Sequence, residues 1–228
     1  MNKGKITTVE GIIGVGKTWR CKNLEQYIEN LNVKYEIHLL NPYLERFYVN
    51  PKKWAYPMQM FMLEGRRNIW VEIERLIQSG ENVVADRSIY SDIVFALTNK
   101  DNMSTDEWRR YIKRKNEIVK NFCVPDIVEY LYVAPEICHK DRIPSRLGDN
   151  PELECEKLIP LDYLKLLENV YIGDSDFEKK GFVEECIDPN SWLGNMKKIG
   201  CEIKLFDWSK FGSEYSEHEL FSHICQIN

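Results

Sequence analysis

Short apolar runs alternate with longer stretches of helical period along this chain. Ile6 to Glu10 (ITTVE) reads as a first strand, and Trp19 to Leu31, with Leu24, Ile28 and Leu31 on one face, as a helix. Tyr35 to Leu40 predicts a second short strand. A long helical region runs from Lys52 to Gln78 and stops at Ser79-Gly80, a helix C-cap signal. Asn82 to Asp86 (NVVAD) has the compact apolar character of a buried strand, and Ser104 to Asn121 that of a charged amphipathic helix. Ile127 to Val133 and Glu202 to Phe206 complete the strands. Strand and helix in alternation predict an α/β fold, a parallel sheet of about five strands with helices on both faces.

Two segments break the rhythm. Lys140 to Lys157 is polar, carries Arg142, Arg146 and Gly148, and is long enough to be a lid. Asp174 to Asn190 is a second polar stretch of no clear period. No repeat or linker divides the chain. Its 228 residues, 43% hydrophobic, suit one core, so residues 1–228 are expected to form a single domain.

Charge and cysteines narrow the field. A net charge of −5 disfavours a nucleic-acid polymer as partner, whereas a nucleotide needs only a local positive pocket. Seven cysteines without a CxxC pair make a disulfide framework or zinc site a poor reading and fit buried apolar roles in a reducing compartment. Apolar stretches fall short of a membrane span, and Met1 to Lys5 runs straight into a strand with no signal-peptide pattern. A cytoplasmic protein with no membrane partner is the expectation.

Gly11-Ile12-Ile13-Gly14-Val15-Gly16-Lys17-Thr18 matches G-x-x-x-x-G-K-[ST] between a predicted strand and a predicted helix. Glycines let the backbone curl until successive N–H groups face one anion, and the helix adds its positive end. Lys17 would reach the β- and γ-phosphates of ATP, and the Thr18 hydroxyl would ligate Mg²⁺. A chance glycine turn is the plain alternative, but it has no need of that strand-to-helix setting. Asp86-Arg87-Ser88 closes a buried strand, where α/β sheets place ligand sites. Asp86 there would hold the Mg²⁺ shell and Arg87 would sit over the reacting oxygen; a strand-end ion pair is the alternative. Gln59 and Arg66, seven apart, share one helical face.

Beyond the phosphate loop, several spaced motifs resemble the deoxynucleoside kinase family. They are Asn41-Pro42-Tyr43-Leu44-Glu45, Tyr48 to Ala55, Gln59 with Arg66, Asp86 to Asp92, Pro135-Glu136 and Ile159 to Leu164. The likeness spans roughly residues 6 to 170 and fades in the last quarter. It implies ATP-dependent phosphorylation of a nucleoside 5′-hydroxyl. Arg87 would contact the 5′-oxygen, and Tyr48 and Glu156 the sugar 3′-hydroxyl. Gln59 would meet the base edge, with Arg66 and Asp92 behind it and Phe95 stacked on the ring. Arg142 and Arg146 would neutralise the transferring phosphoryl group. The resemblance also implies a homodimer through the Lys52 to Gln78 and Ser104 to Asn121 helices. An Arg66–Asp92 pair resembles the kinases of deoxycytidine and purine deoxynucleosides rather than of thymidine.

The family's base is a glutamate ending the second strand, usually in a Glu-Pro dipeptide, and no Glu-Pro occurs here. Glu36 lies 36 − 17 = 19 residues after Lys17 and 51 − 36 = 15 before Pro51, spacings like those of compact members. A strand continuing from Tyr35 to Leu40 would instead bring Asn41 to its end, and Asn41 cannot act as a base. Glu45 and Glu10 are the other candidates. A nucleoside monophosphate kinase and a catalytically inactive nucleotide-binding protein are the rival readings.

Overall fold

Every residue of Ile6–Glu10 (β1) is buried, as a strand covered on both faces must be. The computed structural model describes residues 3–147, 151–175, 177 and 181–209. In it β1 is the middle of a five-stranded sheet of order β2-β3-β1-β4-β5. The others are β2 (Asn32–Lys34), β3 (Val83–Asp86), β4 (Ile127–Tyr132) and β5 (Glu202–Asp207). All pairs are parallel. The register sets Val9 beside Asp86 and Lys34 beside Ala85. The residues that follow β1, β2 and β3 therefore leave the sheet at one edge, the place where such sheets bind ligands.

Helices cover both faces. On one side Leu24, Val128, Leu131, Leu164 and Trp192 share a core cluster. On the other Leu63, Trp70, Ile73, Val83 and Tyr111 share a second. Helix α1 (Lys17–Tyr27) starts two residues before the expected Trp19 and ends at Ile28, which is extended. Following α2 (Leu44–Val49), helix α3 (Pro51–Gln78) starts with the Asn50 side chain accepting the Lys53 N–H at 3.3 Å and Pro51 in its first turn. Helix α4 (Asp92–Thr98) is short; α5 (Thr105–Val119) opens with a Ser104–Glu107 capping box.

The second strand is Asn32–Lys34 and not Tyr35 to Leu40. Three residues pair with β3, then the chain leaves the sheet and winds into a 3₁₀ turn at His38–Leu40. The apolar run misled because Leu39 and Leu40 are 46% and 72% exposed. The strand ends two residues before Glu36. Asn41 is nowhere near a strand end; its side-chain amide donates to the Met58 carbonyl at 3.2 Å.

The lid segment is largely helical rather than irregular. Helix α6 (Pro135–Ile137), a π-type turn (Cys138–Arg142) and α7 (Ile143–Leu147) follow one another, and a 3₁₀ stretch spans Pro151–Leu158. Ile143 and Leu147 anchor it in the core. Gly148 lies outside the described residues, as do parts of the Asp174 to Asn190 stretch and Cys225. The six described cysteines are free. Helices α8 (Leu161–Ile172) and α9 (Trp192–Lys198) complete the far face. No helix among the described residues is long and apolar enough to cross a membrane.

Candidate active site

The loop from Gly11 to Gly16 turns the chain from β1 into α1. Gly14 and Gly16 hold φ of 88° and 98°, a region where a Cβ is strained. Within this turn the Lys17 ammonium donates to the Ile12 carbonyl at 2.8 Å. Burial and the neighbouring Arg87 lower its pKa to about 7 against the pull of Asp86 and Glu36. Thr18 Oγ1 donates to Asp86 Oδ2 at 2.6 Å, while Asp86 Oδ1 is buried with no partner among the described residues. A hydroxyl beside a carboxylate with an unused oxygen is a donor set that suits a hard divalent cation such as Mg²⁺.

Arg87 follows β3 with φ of 72°, a left-handed conformation that L residues avoid. Its Nη1 donates to the Gly11 carbonyl and to the Tyr171 hydroxyl, both at 2.8 Å, and its Nε to Glu36 Oε2 at 3.1 Å. The guanidinium stands 4.5 Å from the Phe95 ring centroid. Glu36 also accepts from Arg66, with His38 Nδ1 3.8 Å away. Burial pushes the Glu36 carboxyl up, but Arg66 and Arg87 outweigh it and hold the pKa at about 2. Glu36 is therefore ionised. The rival bases do not share this setting. Glu45 is exposed. Glu10 is fully buried, binds the Ser88 N–H at 2.8 Å and Tyr171 at 3.1 Å, and does not line the cavity.

The third group sits deeper. Asp92, fully buried, accepts from Arg66, from Gln59 Nε2 at 2.9 Å and from Tyr111 at 2.6 Å. The Asp92 oxygens act as acceptors in each of these bonds, which sets the Gln59 amide with Nε2 toward Asp92. Gln59 Oε1 is left buried and without a partner among the described residues. It is an acceptor waiting for a donor.

One cavity joins the three groups. Lys17, Thr18, Glu36, Gln59, Arg66 and Arg87 line it together with Asp86, Tyr48, Phe95, Arg146 and Glu156. Arg146 pairs with Glu156 across it. Arg142 points elsewhere, donating to the carbonyls of Val15 at 3.1 Å and Trp208 at 2.8 Å beside the phosphate loop. The sequence reading missed His38, Met58 and Tyr163, which also line the cavity. It missed Tyr171 and Tyr111 as well, whose hydroxyls hold Arg87 and Asp92. Only the apolar face of α5 signalled Tyr111; Tyr171 is 161 residues from its partner Glu10.

The deoxynucleoside kinase family model matches residues 7–179. The chain belongs to that family. A deoxyguanosine kinase of Dictyostelium discoideum is 32% identical over 92% of this chain and 66% of its own length. A deoxyguanosine kinase of Bacillus subtilis is 28% identical over 75% of this chain and 78% of its own. The chain thus spans about two thirds of the length of its Dictyostelium relative. A deoxyadenosine kinase from M. mycoides with bound dATP superposes with TM-score 0.70 at 21% identity, covering 98% of this chain and 99% of that one. The family's fold, a five-stranded parallel sheet with helices on both faces, is the fold observed. The family match ends before α9 and β5, close to where the sequence likeness fades.

Proposed function

We propose that this chain transfers the γ-phosphoryl group of ATP to the 5′-hydroxyl of a deoxynucleoside, and that it prefers an amino-bearing base to thymine. The observation that supports this most directly is the line of three groups in one cavity: a phosphate loop, an ionised Glu36 held by two arginines, and a buried amide–carboxylate pair. Lys17 and the loop amides hold the donor phosphates. Arg87 orients the acceptor oxygen, and Glu36, being ionised, takes its proton as the new P–O bond forms and the bond from the γ-phosphorus to the departing ADP breaks. Arg146 lies on the cavity wall as a cation for charge developing on the transferred group, and Arg142 braces the loop from outside. Tyr48 and Glu156 face the sugar and Phe95 the base. Thr18 and Asp86 would hold Mg²⁺, which would supply positive charge against that of the donor phosphates.

The unpartnered Gln59 Oε1 gives the base preference its physical form. It accepts from the exocyclic amine of adenine or cytosine, or from guanine N–H groups, while Asp92, itself paired with Arg66, holds the amide in place. Thymine presents one N–H between two carbonyls and a methyl beside a buried ion pair, a poorer match. No second phosphate seat is needed for such an acceptor, which separates this reading from a nucleoside monophosphate kinase. ADP release measured with each of the four deoxynucleosides and with deoxynucleoside monophosphates tests it. Turnover confined to monophosphates, or none at all, would overturn the assignment.

A further inference from the structure

Glu36 and Ile37 are consecutive, and they grip consecutive residues of α3 from opposite sides. Glu36 enters the cavity and meets Arg66. Ile37 lies in the groove on the other side, lined also by Tyr43, Phe61 and Gly65. A Cβ built on Gly65 would stand 1.9 Å from Ile37 Cδ1 and 2.9 Å from its Cγ1. Gly65 sits mid-helix, between Glu64 and Arg66, where glycine is the poorest ordinary helix former. The helix accepts it, and Ile37 occupies the space a side chain would fill.

We propose that Gly65 and Ile37 are positioning residues that set the reach of Glu36 into the active site. The inference rests on the reading of Glu36 as the base. Glu36 follows a strand of only three residues and precedes a 3₁₀ turn with two exposed leucines. The sheet therefore does not fix its height over the cavity. The Ile37–Gly65 contact does so from outside, Asn41 fastens the far end of the segment to the Met58 carbonyl, and the Arg66 ion pair fixes the carboxylate from inside. A methyl on residue 65 would push the Ile37 side chain out of its seat, and any part of that shift passed to the backbone would move Glu36 beside it.

The test is a set of variants on the full chain. Gly65→Ala replaces glycine by a better helix former, so its Tm is expected at or above wild type while kcat falls about 10- to 100-fold, the scale of a misplaced reacting group. Ile37→Val added to Gly65→Ala moves one carbon from one side of the contact to the other, and is expected to restore most of kcat. In a Glu36→Gln background Gly65→Ala should change kcat little, because the group it misplaces is gone. A Gly65→Ala enzyme with wild-type kcat would overturn the proposal. So would a double variant no better than the single, or a full additional loss in the Glu36→Gln background. If Gly65→Ala does not fold, the Ile37→Val/Gly65→Ala enzyme decides: folded and active it supports the seat, and unfolded it overturns it. If Glu36→Gln alone is silent, Glu36 is not the base and both readings fall; if only Gly65→Ala is silent, the kinase assignment stands and the seat falls.

Discussion

The two ends of the cavity are built in opposite ways. The phosphate end is eight consecutive residues, Gly11 to Thr18, turning from one strand into one helix. The acceptor end draws Glu36 from beyond β2, Gln59 and Arg66 from α3, Arg87 from beyond β3, and Asp92 from α4. The first works through backbone groups that any sequence with the right glycines can present. The second works through buried charges that are stable only in each other's company, since an ion stripped of both water and partner is costly. Arg66 shows this dependence: it bridges Asp92 and Glu36, so the proposed base-reading pair and the proposed base catalyst share one side chain.

If the phosphate end is a self-contained device, losing its one cation should be its largest failure. Lys17→Ala is expected to lower turnover on the order of 10³-fold or more while the thermal midpoint holds, because Lys17 acts on charge that grows in the transition state. Near wild-type turnover would remove the phosphate loop from the mechanism. Next in size is the acceptor end's own chemistry. Glu36→Gln should lower kcat by ~10²–10⁴, the range for loss of a general base, with nucleoside affinity mostly kept. A silent variant would make Glu36 an ordinary charge.

Competition among the four deoxynucleosides at equal concentration and limiting ATP probes the deep pair. Thymidine should trail the preferred substrate by roughly 10²-fold in kcat/KM. Thymidine phosphorylated first would break the link between the Arg66–Asp92 pair and the base. The smallest effect separates the two ends by pH. Lys17, with its pKa lowered to about 7, loses its cation as pH rises through that value in the free enzyme. Below it the cation is present, so kcat/KM for ATP should be level on the acid side and fall above pH 7 by at most about tenfold per unit. Glu36, held at about 2, stays ionised throughout and adds no acid limb. Lys17→Arg should remove the alkaline fall, since arginine does not titrate there. An alkaline limb that persists in Lys17→Arg belongs to another group.

Much of this was legible beforehand, and the failures have physical causes. Strands β1, β3 and β4 are buried on both faces almost throughout, and β5, a partly buried edge strand, still shows its alternating apolar positions, so the local pattern marks all four. The capping box of α5 and the Asn50–Pro51 start of α3 are local chemistry, visible within four residues. The second strand was misplaced because Asn32–Lys34 is a short edge strand of mixed character, while the more apolar Tyr35 to Leu40 leaves the sheet with two leucines exposed. That single shift decides the position of Glu36, which spacing suggested and periodicity opposed. The resemblance alone gives Arg142 and Arg146 one shared role, and nothing local in the sequence separates them. A π-type turn ends at Arg142, and Arg142 and Arg146 have different partners.

By itself the sequence determined the phosphate loop, the parallel α/β layering and the gathering of residues such as Asp86, Arg87, Gln59 and Arg66, which line one cavity. These depend on glycine geometry, hydrophobic period and the ordered spacing of motifs, all of which are local or additive along the chain. Only the tertiary structure decided which carboxylate is ionised beside Arg87, which oxygen of Gln59 is left without a donor, and why α3 carries a glycine at position 65. Each of those depends on two segments meeting at van der Waals or hydrogen-bond distance across tens of residues, and burial, ion pairing and close contact exist only once the chain has folded.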